Sequence, residues 1–406
     1  MKRPNILFYF SDQQRYDTLG CNNPDLKITP NVDQLAKEGV NFQYAYTTQP
    51  VCGPARSILQ TGLYATQTGC FRNGISLPIT DKTLAKRLRE AGYKVAYVGK
   101  WHLASEDGLH YETTAVPEKR RGGYNDYWVA SDVLEFTSHG YGGHLYDHKG
   151  FKRSFDGYRT DCVTDFALDY LNERSPEEDS PFFLFLSHME PHHQNDHHQF
   201  EGPKGSADQF KNYPKPGDLD RGKGDWESQM PDYLGCCHAL DDNLGRVVKK
   251  LKERGLYEDT IIIYTSDHGC HFQTHLDDIV TGGFDDYKRN CYESVIHIPL
   301  IISGRDFSGG LQINHIVELI DLPRTIIKIA GGDSNGMQGV DLLANLESSV
   351  NPERDAYVQI SESYLGRALR TKRWTYCIYA PEKNPNKEMF SDTYRERFLF
   401  DNEKDP

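Results

Sequence analysis

Four apolar runs in this chain end in polar residues able to do chemistry. Ser11-Asp12-Gln13-Gln14 follows Asn5–Phe10, Gly99-Lys100-Trp101-His102 follows Lys94–Val98, Ser187-His188-Met189-Glu190-Pro191-His192-His193 follows Phe182–Leu186, and Ser266-Asp267-His268-Gly269 follows Thr260–Thr265. If these runs are strands of one sheet, their carboxyl ends face the crevice where open α/β sheets bind ligands. Asp12 and Asp267, meeting at the edge of a dry core, would repel each other unless a cation lay between them. A divalent ion with oxygen ligands answers that need, and Gln13 can add a carbonyl oxygen. His268 can add a nitrogen, which tilts the preference from calcium towards manganese or zinc. A fifth segment, Cys52-Gly53-Pro54-Ala55-Arg56-Ser57-Ile58-Leu59-Gln60-Thr61-Gly62, reads as a helix start. Pro54 suits the first helical position and places Cys52 just before an amino end. The free N–H groups and partial positive charge there suit a phosphate or sulfate oxyanion.

The elements that must hold these residues alternate. Asn31–Gly39 reads as a helix opened by Thr29-Pro30, Thr83–Ala91 as a second, Cys162–Asn172 as a third and Tyr233–Arg254 as a fourth, with a further strand at Ile298–Ser303. Strands separated by helices predict an α/β fold with a large, mostly parallel sheet covered on both faces. After Gly331-Gly332, Tyr357–Ser361, Arg367–Leu369 and Trp374–Tyr379 read as short strands of a small antiparallel subdomain. Residues 107–152 and 194–225 read as long loops, a length that serves a site more often than a scaffold.

The 406 residues include 46 basic and 59 acidic side chains, a net charge of −13, and nine cysteines. Without a basic block, that balance argues against nucleic acid or an anionic membrane as the main partner. No apolar run approaches the roughly 18 residues needed to span a bilayer. The start Met1-Lys2-Arg3-Pro4 leads into no signal-peptide core, and scattered, odd-numbered cysteines fit reduced thiols, so a cytoplasmic location is expected.

The pattern Cys-x-Pro-x-Arg, four residues, then Thr-Gly, from Cys52 to Gly62, resembles the signature of the type I, formylglycine-dependent sulfatases of the alkaline phosphatase superfamily. Asn5-Ile6-Leu7 leading to Asp12, Thr29-Pro30-Asn31, Gly99-Lys100-Trp101-His102, Pro191-His192, Ser266-Asp267-His268-Gly269 and Tyr292-Glu293 with Pro299 follow in that family's order. Phe398-Leu399-Phe400-Asp401 with Asp405-Pro406 matches its closing landmark, after which relatives normally continue. The likeness covers essentially the whole chain. It implies an alkaline phosphatase-like catalytic domain over residues 1–345 and a carboxyl-terminal subdomain over 346–406. It also implies a maturation enzyme that converts Cys52 to formylglycine, whose hydrate attacks sulfur and later expels sulfate. Arg56 would support the hydrate, and Asp12, Gln13, Asp267 and His268 with position 52 would hold the metal, calcium first and manganese second. Lys100 and Lys288 would bind sulfate oxygens, His102 would steady the formylglycine, and His192 would protonate the leaving oxygen.

Two details depart from the common pattern. Many members have adjacent aspartates and Asp-Asn where this chain has Asp12-Gln13 and Asp267-His268. That variant resembles choline sulfatases and phosphonate monoester or phosphodiester hydrolases, as does Asn73, a substrate-binding candidate 21 residues after Cys52. Lys100 with His102 is the sulfatase form. The expected activity is therefore hydrolysis of a sulfate monoester, on a carbohydrate first, with aryl, steroid, choline and phosphonate esters as alternatives. A silent binder of sulfated ligands is the non-enzymatic reading, and pairing with a second copy of the chain stays open. Trp128 and the tyrosines around it are read evenly as a ring-stacking platform or as packing, and His192-His193 with His197-His198 as a tract able to bind a separate metal.

Overall fold

The computed structural model describes all residues except Met1, Gly222, Asp277, Ile279, 282–286, 348–352 and 405–406, so the Asp405-Pro406 pair lies outside the described residues. β1 (Asn5–Ser11) is buried along its whole length. It is joined by β2 (Val40–Tyr46), β3 (Lys94–Lys100), β4 (Tyr127–Ser131), β5 (Tyr141–Asp147), β6 (Lys152–Tyr158), β7 (Phe182–Ser187), β8 (Thr260–Ser266), β9 (Leu300–Ser303) and β10 (Leu311–Glu318). The order across the sheet is β10-β2-β9-β8-β1-β7-β3-β4-β5-β6. The central strands β8, β1, β7, β3 and β4 are parallel, which brings their carboxyl ends to one edge. β9, β5 and β6 pair antiparallel with their neighbours. The sheet is thus mixed and mostly parallel, as expected.

Alternation along β1 divides the core in two: Ile6, Phe8 and Phe10 face one side, Leu7 and Tyr9 the other. Each face is covered by helices among α1 (Pro30–Glu38), α2 (Cys52–Thr61), α3 (Leu84–Glu90), α4 (Arg159–Asn172), α5 (Trp226–Glu253) and α6 (Asp321–Ile329). α2, α3 and α6 pack on the Phe8 face through Leu59, Leu88 and Ile326, and α1, α4 and α5 on the Tyr9 face through Leu35, Ala167 and Leu244. A separate antiparallel sheet is formed by β11 (Ala356–Ile360), β12 (Gly366–Arg370), β13 (Trp374–Tyr379) and β14 (Arg395–Asp401), in that order. Its Ile360, Ala368 and Cys377 pack with Tyr46, Val295 and Ile296 of the main body.

Several expectations are corrected. Residues 107–152 are no plain loop: they contain β4 and β5, which extend the sheet. β5 includes Gly142 and Gly143 and is half exposed, so it lacks the apolar run that marks a buried strand. Trp128 is buried against Tyr97 and Trp101, which makes it core and no ring-stacking platform. Among the described residues of the segment 194–225 lie the short helix Ser206–Phe210, the 3-10 helix Gly217–Arg221 and turns. α5 starts at Trp226 with Pro231 inside it, seven residues before the predicted Tyr233. The closing landmark Phe398–Asp401 lies in a fourth strand, β14, paired with β13. All nine cysteines are free thiols. Among the described residues no helix is long and apolar enough to cross a membrane.

Candidate active site

α2 begins at Cys52 itself, so Pro54 is its third residue and not its first. The N–H groups of a first helical turn have no intrahelical acceptor, so proline costs no backbone bond there. The correction leaves the Cys52 thiol at a helix amino end, with every residue of the helix buried. Gly53 is required: a Cβ there would lie 2.9 Å from the Asn73 Oδ1 atom that accepts its N–H at 2.9 Å. At the end of β3, Gly99 has φ +106 and passes the Ser187 carbonyl so closely that a Cβ would sit 1.9 Å from its oxygen. This approach lets Lys100 turn into the crevice.

The four strand ends converge on Cys52. Its Sγ lies 3.3 Å from Asp12 Oδ1, 3.4 Å from His268 Nε2 and 3.3 Å from Lys288 Nζ. Asp12 Oδ2 accepts from Lys100 Nζ at 2.8 Å and from Arg56 Nη2 at 2.9 Å. Arg56 is fixed in turn by donating Nη1 to the Lys100 carbonyl and to Ser187 Oγ. Lys288 Nζ donates to His192 Nε2 at 2.8 Å, and His192 Nδ1 meets the His193 carbonyl at 2.6 Å. Cys52, Asn73, Lys100, His102, His192 and Lys288 all line one cavity of about 190 Å³. Gln13 is less central: its backbone N donates to Asp267 Oδ1 at 3.0 Å, while its side chain faces Cys270 Sγ and the His193 N–H. The other two histidines of that strand end point elsewhere. His188 packs on Tyr9 and His193 on Tyr287 and Phe200.

Charge is distributed unevenly. Burial pushes the Asp12 carboxyl up, but the charges of Lys100, Arg56 and Lys288 outweigh it and hold Asp12 well below the usual carboxylate range. Burial and Asp12 push the Cys52 thiol up, and Lys100, Lys288 and His268 more than offset them, leaving it at about 7. Burial and then Lys288 and Lys100 keep His192 neutral, well below the usual imidazole value. Burial and Lys100 hold His102 down at about 4.

Asp12, Cys52, Asp267 and His268 can offer ligand atoms that all lie within 4.8 Å of one another. Burial and the charge of Asp12 push the Asp267 carboxyl up to about 7. Its Oδ2 is buried without a hydrogen bond among the described residues, with Arg56 Nε 3.8 Å away. An orphaned carboxylate oxygen beside a second carboxylate fits a bound cation, and the mixed oxygen and nitrogen donors fit a divalent one.

Three positioning residues escaped the sequence reading. Asp132, in the segment read as loop, accepts from the Leu103, Ala104 and Ser105 N–H groups and so shapes the turn bearing His102, itself at φ 58. Glu135 approaches His192 Nδ1 at 3.5 Å. Glu362, from the second sheet's β11–β12 connection, accepts from Asn73 N and from Arg289 Nε, each at 2.6 Å. No spacing rule links residues so distant in sequence.

The site can be compared with known proteins. A family model described as Sulfatase matches residues 4–332. The chain belongs to the sulfatase family. An ulvan-active sulfatase of Formosa agariphila is 31% identical, with 98% of this chain and 77% of the relative aligned. An N-acetylglucosamine-6-O-sulfatase of Bacteroides thetaiotaomicron is 27% identical over 86% of this chain and 71% of its own. The solved structure of a putative sulfatase, yidJ, from Bacteroides fragilis matches with a TM-score of 0.79 at 24% identity, covering 100% of this chain and 90% of that one. This sulfatase is accordingly an enzyme, a hydrolase of sulfate esters, and the silent-binder reading falls away.

Proposed function

We propose that this sulfatase removes sulfate from a carbohydrate ester, with Cys52 as the precursor of formylglycine and Asp12, Asp267 and His268 as ligands of a divalent ion, calcium before manganese, with Gln13 at its edge. The setting of the Cys52 thiol carries the reading: first in a buried helix, open to the cavity, and with Asp12, His268 and Lys288 each within 3.4 Å. When present, formylglycine supplies a hydrated nucleophile and the ion a Lewis acid.

The chain's own residues do the rest. Lys100 and Lys288 offer two ammonium groups to the ester's sulfate oxygens, giving an acidic protein a locally positive crevice. Arg56, anchored on the Lys100 carbonyl, holds Asp12 in orientation. His102, an imidazole kept neutral, lines the cavity beside Cys52 and steadies the reacting group. With His192 Nδ1 on the His193 carbonyl, Nε2 is the acceptor for Lys288. Lys288 stays protonated against that nitrogen, and the pair of Lys288 and His192 presents the shared proton where the departing alkoxide would take it.

The sugar assignment rests on what the two named relatives act on and on Glu112, Asn195 and Arg289 in the cavity wall, which suit hydroxyl groups better than an aryl or steroid face. Residues 1–345 form the catalytic domain in this reading, and 346–406 lend it Glu362. Nine free cysteines suit a reducing compartment such as the cytoplasm. Asn73 against Gly53, with the Asp-Gln and Asp-His pairs, keeps phosphonate monoester hydrolysis as the second reading.

The test is to co-express the chain with a formylglycine-generating maturation enzyme, weigh the Cys52 peptide, and screen sulfated sugars against aryl sulfates and aryl phosphonates. Conversion of the thiol to aldehyde with fastest turnover of a sugar sulfate is expected. A persistent thiol in active protein overturns the mechanism, and faster phosphonate turnover overturns the substrate.

A further inference from the structure

The histidine tract after Pro191 divides in two. His192 and His193 turn inward, whereas His197 lies at the surface beside His139, which precedes β5. The two rings stack with centroids 4.1 Å apart and planes at 13°. Asp196 completes the group, its Oδ2 lying 2.9 Å from His139 Nε2, and ligand atoms from all three residues fall within 4.8 Å of one another. We propose that His139, Asp196 and His197 form a second metal site, for a first-row transition ion of the zinc type, outside the active-site cavity.

The donor set selects that class. Two imidazoles and one carboxylate suit zinc, cobalt or nickel, whereas calcium and magnesium favour shells of oxygen. Each of two ligands is already oriented by an outer partner. Glu201 Oε1 holds His197 Nδ1 at 2.5 Å, which leaves Nε2 for an ion. Gln194 Nε2 donates to Asp196 Oδ1 at 2.7 Å, which leaves Oδ2. Gln194 is itself held by the buried Arg159 at 3.0 Å. Carboxylate-backed histidines and hydrogen-bonded carboxylates are the outer-shell arrangement of metal sites. The His139 and His197 side chains are 46% and 41% exposed, so the rings can fan apart around an ion and water can complete its shell.

The site sits on the back of a cavity wall. Asn195, adjacent to Asp196, lines the cavity and donates to Glu135, which approaches His192. An ion there fastens the 192–201 segment from outside.

The test uses untagged, full-length protein stripped of metal and dialysed against zinc or cobalt, with bound ion counted per chain. A C52S/D267N/H268A background, which removes three of the four clustered active-site donors, is expected to retain one zinc-competent equivalent. Adding H139A and H197A to that background is expected to remove it, together with the cobalt absorption bands. The proposal is overturned if the background variant binds no zinc, or if the bound equivalent survives loss of both histidines. Neither readout depends on turnover or on formylglycine.

Discussion

Lys288 Nζ lies 2.8 Å from His192 Nε2 in a buried contact, so a cation and a neutral imidazole share one hydrogen bond beside the thiol of Cys52. The pair joins anion binding to proton delivery. Lys288→Ala should lower kcat/KM by about 10²–10³-fold, since a donor aimed at developing charge in a dry site is worth roughly that much. Loss of less than fivefold on the matured enzyme would remove Lys288 from the proposed machinery.

Asp267 should trade stability for function. Its Oδ2 accepts no hydrogen bond among the described residues, and its carboxyl faces Asp12. Asp267→Asn removes the like-charge repulsion, so the metal-free variant should melt at or above the metal-free wild type. It should also lose activity and the gain in Tm that calcium or manganese confers. A thermal melt with and without each ion checks both parts.

Glu362 positions cavity residues from the second sheet. Glu362→Ala frees Asn73 N and Arg289 Nε. KM is expected to rise about tenfold with a smaller change in kcat, because neither partner touches the reacting bond. Glu362→Gln, which keeps one acceptor, should recover part of the loss. Steady-state kinetics in which kcat alone fell would contradict this role.

The loop carrying His192 hangs on a buried ion pair. Glu190 Oε1 accepts from Arg159 Nε at 2.8 Å, with both side chains 1% exposed. Glu190→Gln leaves a guanidinium buried without its counter-charge, at a cost of about 3–5 kcal/mol. Denaturant melts should report that loss.

Asp241 makes stability depend on pH. From α5 it accepts the Val32 and Asn31 N–H groups at the start of α1, and burial pushes its carboxyl up to about 6. An unfolded aspartate titrates near 3.9, so between those values the folded chain holds the proton more tightly. Its stabilising contribution is complete below about pH 3.9 and lost as pH rises through about 6, a fall of roughly 3 kcal/mol. Asp241→Asn should flatten that window in melts run from pH 4 to 7.

Much of the site was legible because the chemistry follows short-range order. A strand buried on both faces must be an unbroken apolar run, and the first polar residues beyond it must face the crevice. Asp12, Lys100, His192 and Asp267 therefore fall in polar segments that their neighbours mark, and Cys52 at a marked helix start, whereas the roles of Arg56, Lys100 and His192 came from the likeness to the sulfatase signature. What the tertiary structure decided depends on contacts between distant segments. The sequence reading chose His192 by its place after Pro191, and the packing of His188 on Tyr9, His192 on Lys288 and His193 on Tyr287 sets the three apart. Trp128 was sorted into the core by the strand pairing of β3 with β4, and Glu362 was brought to Asn73 across 289 residues by the second sheet. Periodicity records which face of an element is dry. Which side chain meets which across the crevice is settled only when the sheet order closes those faces together.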